Sequence, residues 1–153
     1  MSKLLSKLYV HAIFHVKPRS SMIRPQDEKR LYSYINGLII LNESSPIIVN
    51  GIENHIHVLC LISKNISTAI LLEEILLYSS KWIKSLGIFY NDFVWQSDYS
   101  CYSVSKSRVN DVSKFIECQK ELHKTLTFEE EYRQFLNENE VNFQEEYLCS
   151  WFR

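Results

Sequence analysis

Apolar and polar positions along this chain fall into two rhythms, a period of two and a period near 3.6. Leu8 to Val16 is rich in β-branched and aromatic residues and reads as a first strand. Lys17-Pro18-Arg19-Ser20-Ser21 breaks it. Pro25, followed by Asp27 and Glu28, suits the first turn of a helix that runs to about Leu41. Pro46 to Ile52 and Asn54 to Ile62 read as two further strands joined in a hairpin, with Gly51 expected at the tight connection. Ser67 is a natural cap for a helix from about Thr68 to Ser85, and Gly87 is a natural stop. Phe93 to Gln96 and Cys101 to Val104 are short strand candidates. A helix starting at Ser107 or Asn110 and reaching about His123 carries an inward stripe of Val112, Phe115, Ile116, Gln119 and Leu122. Thr127 and Glu130 have capping-box spacing at the head of a last helix, which reaches about Asn137. The order β-α-β-β-α-β-α-α predicts an α+β, ferredoxin-like fold, an antiparallel sheet covered by helices. The chain is expected to form one domain over 1–153, with a helical tail from about 124.

Composition changes this picture little. The 153 residues are 46% hydrophobic and 13% aromatic, enough for one packed core. A formal net charge of -1 gives no bulk support for a nucleic-acid partner, although a local basic patch is compatible with it. Cys60, Cys101, Cys118 and Cys149 are scattered and form no CxxC pair, which suggests reduced thiols. The opening stretch is short and broken by lysine, unlike a signal peptide, and no apolar run approaches a membrane span. A cytoplasmic location and no membrane partner are the expectation.

Candidate chemistry concentrates in Asn54-His55-Ile56-His57-Val58-Leu59. Two histidines one residue apart on a strand project from the same face. The strand is apolar, so both imidazoles need partners there. Gln119 sits on an otherwise apolar helical stripe, where a carboxamide is out of place unless its oxygen meets a donor or a cation. Two imidazoles and an amide oxygen make a neutral set with open positions. That suits Mg²⁺ or Mn²⁺ sharing its shell with water and phosphate better than structural zinc. Histidines that merely pack, and an unrelated metal-dependent phosphodiesterase using water as nucleophile, both fit these residues as well.

The segment Gly51-Ile52-Glu53-Asn54-His55-Ile56-His57-Val58-Leu59 resembles the HUH segment of the small single-tyrosine transposases of bacterial insertion sequences. Tyr9 to Lys17 is similar to that family's opening strand. Trp95 to Tyr99, with Tyr102 to Ser105, is similar to the block before its catalytic helix. Phe115-Ile116-Glu117-Cys118-Gln119 stands where that helix carries its nucleophile and third ligand, and Thr127 to Tyr132 resembles the tail of one branch. The resemblance implies metal ligands at His55, His57 and Gln119, a Mg²⁺ or Mn²⁺ cofactor, and single-stranded and hairpin DNA as partners. It also implies a homodimer in which the catalytic helix serves either its own or the partner's histidine pair.

The family's nucleophile is a tyrosine four residues before the glutamine, and here that residue is Phe115. A benzyl ring cannot attack a phosphodiester, so the chain is expected to bind DNA without cutting it by the 5′-phosphotyrosine route. Natural loss and deliberate replacement of the hydroxyl fit this position equally. A non-catalytic DNA-binding protein derived from a transposase is the nearest alternative. Tyr99, Tyr102 and Tyr132 are the available substitute hydroxyls, with packing as their simpler role. His11 and His15 share a face of the first strand and suit a core or DNA-facing role. Lys17, Arg19, Arg24, Lys106, Arg108 and Lys114 are candidate phosphate contacts.

Overall fold

The computed structural model describes residues 2–153. Four strands, β1 (Leu8–His15), β2 (Ser45–Ile52), β3 (His55–Ile62) and β4 (Ser100–Val104), form an antiparallel sheet in the order β2-β3-β1-β4. Helices α1 (Pro25–Leu41) and α2 (Thr68–Lys84) cover one face. Helices α3 (Val109–Glu117), α4 (Gln119–Leu122), α5 (Phe128–Glu138) and α6 (Glu145–Trp151) gather on the other. The α+β sandwich expected from the sequence is the fold observed.

Both central strands are covered on both sides, and their residues divide by parity. Ala12, Phe14, Ile56, Val58 and Cys60 join Leu31, Ile35, Leu71 and Ile75 in the main core under α1 and α2. Tyr9, His11, Ile13 and His15 of β1, with His55, His57 and Leu59 of β3, are buried on the opposite face. Polar side chains are thereby placed in the middle of a sealed layer.

Local chemistry explains several boundaries. The Ser67 hydroxyl accepts from the Ile70 amide at the start of α2, and Thr127 and Glu130 form a complete capping box on α5. Four expectations need correction. Gly51 lies inside β2 rather than at the hairpin turn, which falls at Glu53 and Asn54. Its lack of a side chain is still required, because a Cβ there would collide with the His55 backbone. The segment 93–96 is not a strand. It makes a single bridge, Val16 with Trp95, and turns Phe93 and Trp95 into the core. The helix expected through His123 is interrupted at Cys118, because the Asn50 side chain reaches across from β2 to the Ile116 and Glu117 carbonyls. The tail holds two helices, with α6 pinned by Leu148 and by Trp151 and Phe152 against the sheet.

Candidate metal centre

His55 and His57 occupy alternate positions of β3, and both are fully buried. The structure brings Gln119 to them within one chain, with Oε1 2.8 Å from His55 Nε2. It adds three residues that sequence reasoning did not place there. Glu131 of α5 puts Oε1 2.6 Å from His57 Nε2 and 3.8 Å from His55 Nε2. His123, one helical turn beyond Gln119, puts Nε2 2.6 Å from Glu131 Oε2 and 3.0 Å from Gln119 Oε1. His11 of β1 puts Nε2 2.7 Å from His57 Nδ1.

The signal for Glu131 was of the kind that exposed Gln119. Phe128, Tyr132 and Phe135 form a helical stripe, and Glu131 lies within it. It was masked by Glu129 and Glu130, which make a run of three acids read as a solvated helix start.

The hydrogen bonds of this cluster leave two of its atoms, His57 Nε2 and Glu131 Oε1, without a partner. His55 has an acceptor oxygen at each ring nitrogen, Asn54 Oδ1 at 2.8 Å from Nδ1 and Gln119 Oε1 at Nε2. Burial, reinforced by His57, holds the His55 pKa well below the ordinary imidazole range, so the ring is neutral and carries one proton. One of its nitrogens therefore needs an N–H facing it, which the Asn54 amide supplies when its nitrogen is turned toward Nδ1. The Gln119 amide is fixed the other way round, because its nitrogen serves Glu131 Oε2 at 3.2 Å. His57 Nε2 and Glu131 Oε1 are both buried, close together, and outside hydrogen-bonding geometry. Orphaned donor atoms converging on one point are what a cation satisfies. His55, His57 and Glu131 each offer a ligand atom, all within 4.8 Å of one another.

The charge distribution fits this reading. Burial pushes the Glu131 carboxyl up, but the neighbouring His123 and His57 rings outweigh it and hold the group below the usual carboxylate range. Burial lowers the His123 pKa, yet the Glu131 and Leu126 oxygens at its two ring nitrogens raise it overall. His123 and the Glu131 carboxylate meet as a close pair at the edge of the cluster.

Aromatic rings close the site. Phe128 stacks on His55 at 3.7 Å between ring centroids, and Phe135 meets His11 edge-on at 5.1 Å. The Phe115 ring lies 5.7 Å from that of His57, beside the cluster, as expected of a residue one turn before Gln119. Tyr99 is bonded to Glu73, and Tyr102 and Tyr132 are buried in the layer formed with α5. His15 is enclosed by Phe128, Tyr132, Trp151 and Phe152 and takes no part in the cluster.

The basic candidates are dispersed. Lys17, Arg19 and Lys114 are exposed. Arg24 is engaged by Asp27 at 3.0 Å and lies over the Phe89 ring, and Arg108 is 3.6 Å from Asp111. Lys106 lies over the Tyr9 ring. No helix among the described residues is long and apolar enough to cross a membrane.

The sheet of order β2-β3-β1-β4 with helices on both faces is a fold shared with solved transposases. One is a candidate transposase from Deinococcus radiodurans R1, 16% identical, with a TM-score of 0.60 over 78% of this chain and 98% of that one. Another is a REP-associated tyrosine transposase bound to a REP hairpin, 11% identical, with a TM-score of 0.56 over 82% of this chain and 76% of that one. No curated protein matches the sequence. The family described as "Transposase IS200 like" matches residues 4–119, and the chain belongs to that family. The match ends at Gln119, so His123 and Glu131 lie beyond it.

Proposed function

We propose that this protein is a single-tyrosine-type transposase relative that binds a divalent ion and hairpin-bearing single-stranded DNA, but lacks the hydroxyl for covalent strand cleavage. One observation carries the reading. The ring of Phe115 stands beside His57 at the place where the resemblance puts the attacking phenol. His55, His57 and Glu131 would hold Mg²⁺ or Mn²⁺, with the Gln119 oxygen adjoining. When bound, such an ion acts as a Lewis acid on a phosphoryl oxygen.

The chain's own residues set the remaining terms. Phe115 preserves packing against His57 and Phe135 and supplies no nucleophile. The exposed Lys17, Arg19 and Lys114 are available to the phosphate backbone. One chain furnishes every member of the cluster, so the homodimer implied by the resemblance is not needed to assemble it.

The test uses hairpin-ended single-stranded DNA with Mn²⁺. The protein is expected to shift the DNA in a gel without forming a covalent adduct. Phe115→Tyr is expected to yield a protein–DNA adduct that survives denaturation, together with a free 3′-hydroxyl. Binding by neither protein, or adduct formation by the unsubstituted chain, would overturn the proposal.

A further inference from the structure

His11 is a buried histidine outside the ligand set, and the family resemblance gives it no task. It lies on β1 opposite Leu59 of β3, one diagonal step from His57, and is 2% exposed. Its Nε2 is 2.7 Å from His57 Nδ1, with the two rings stacked at 5.0 Å and 28°. Tyr102 and Phe135 pack edge-on against it and fix its plane. On its outer side His11 borders an open cleft of about 440 Å³ that also touches Ser105, Arg108 and Glu138. Water in that cleft is a ready acceptor for a proton on His11 Nδ1.

Two imidazole nitrogens at 2.7 Å share one hydrogen, and its location decides what His57 can do. If His11 Nε2 carries it, His57 Nδ1 is the acceptor and the His57 proton sits on Nε2. The nitrogen 2.6 Å from Glu131 Oε1 then has no lone pair for a cation. If His57 Nδ1 carries it, His11 Nε2 accepts and His57 Nε2 is free to coordinate.

We infer that His11 is a positioning residue that holds His57 in its Nδ1–H form and fixes the ring so that Nε2 faces His55 and Glu131. This rests on the metal reading proposed above. Histidine ligands generally donate their second ring N–H to such a partner, and loss of the partner weakens metal binding by about 10–100-fold. In this chain the usual carboxylate or backbone carbonyl is replaced by a second imidazole.

The experiment compares Mn²⁺ affinity, read by the electron paramagnetic resonance signal of the free ion, for three full-length proteins. They are the unsubstituted chain, His11→Phe and His11→Gln. His11→Phe keeps a ring of similar size without an acceptor, and His11→Gln restores an acceptor. The expected result is a loss of about 10–100-fold for His11→Phe, with most of it recovered by His11→Gln. The ¹⁵N shifts of His57 in the Mg²⁺-loaded unsubstituted protein give a second readout that needs no variant, and a proton on Nδ1 is expected. An affinity of His11→Phe within twofold of the unsubstituted chain, or a proton on His57 Nε2 in the loaded protein, overturns the inference. Failure of the unsubstituted chain to bind Mn²⁺ overturns the metal reading itself.

Discussion

At the residue scale, the cluster is defined by one carboxylate among five polar neighbours. Glu131 is 1% exposed, meets His123 and Gln119 through one oxygen, and holds the other 2.6 Å from His57 Nε2. Its carboxylate pairs with His123 and offers an oxygen beside the histidine pair. Glu131→Gln keeps the shape and removes the charge, so two effects are expected. Mn²⁺ affinity, measured by calorimetric titration, should fall at least tenfold, which is about 1.4 kcal/mol. The metal-free protein should lose about 2 kcal/mol in urea unfolding, because the variant replaces the carboxylate that His123 meets at 2.6 Å with a neutral amide. An unchanged Mn²⁺ affinity would remove Glu131 from the ligand set. The aromatic shell makes a separate contribution. Phe128→Ala removes the ring stacked on His55 and should cost about 3–5 kcal/mol by thermal or urea unfolding.

At the scale of elements, the β2–β3 hairpin positions the site. Gly51 faces the His55 carbonyl so closely that any Cβ would strike backbone rather than a movable side chain. Gly51→Ala is expected to destabilise the fold by about 2 kcal/mol or more and to displace His55, lowering Mn²⁺ affinity in the same variant. A stable variant with unchanged affinity would show that β2 has room to shift. Elements whose causes lie within a few residues were legible in the sequence. The Ser67 cap, the Thr127–Glu130 box and the two-residue alternation of His55 and His57 are of this kind. What was not legible has its cause far along the chain. The break at Cys118 is imposed by Asn50, and α6 exists because Trp151 and Phe152 find His15 on the first strand. Gln119 could be singled out because one amide interrupted an apolar stripe. Glu131 broke the same rule but was hidden by its acidic neighbours, and His11 gave no sign because its partner was chosen by strand pairing.

At the scale of the whole molecule, burying several imidazoles in one layer ties folding stability to pH. His15 is the simplest case, because the rings of Phe128, Tyr132, Trp151 and Phe152 pack around it and neither of its nitrogens has a hydrogen-bond partner. Burial lowers its pKa to about 4 from the ordinary 6.5. Between those values the unfolded chain binds a proton that the folded chain refuses, so stability falls as pH falls. The full effect of this one group is about 3 kcal/mol, and about 2 kcal/mol of it is lost by pH 5. His11 and His55, lowered first by burial and then by His57, act in the same direction. His123 acts oppositely. Its raised pKa adds stability below 6.5 that is lost as pH rises through the folded value. Urea unfolding at pH 7 and pH 5 with a chelator present should therefore show a marked loss at the lower pH. In His15→Phe that loss should shrink by about 2 kcal/mol, since the phenyl ring fills the same aromatic cage and binds no proton in either state. Equal losses in the two proteins would mean that the cage admits a proton or water to His15, and that the tail formed by α5 and α6 packs less tightly over the sheet than these contacts require.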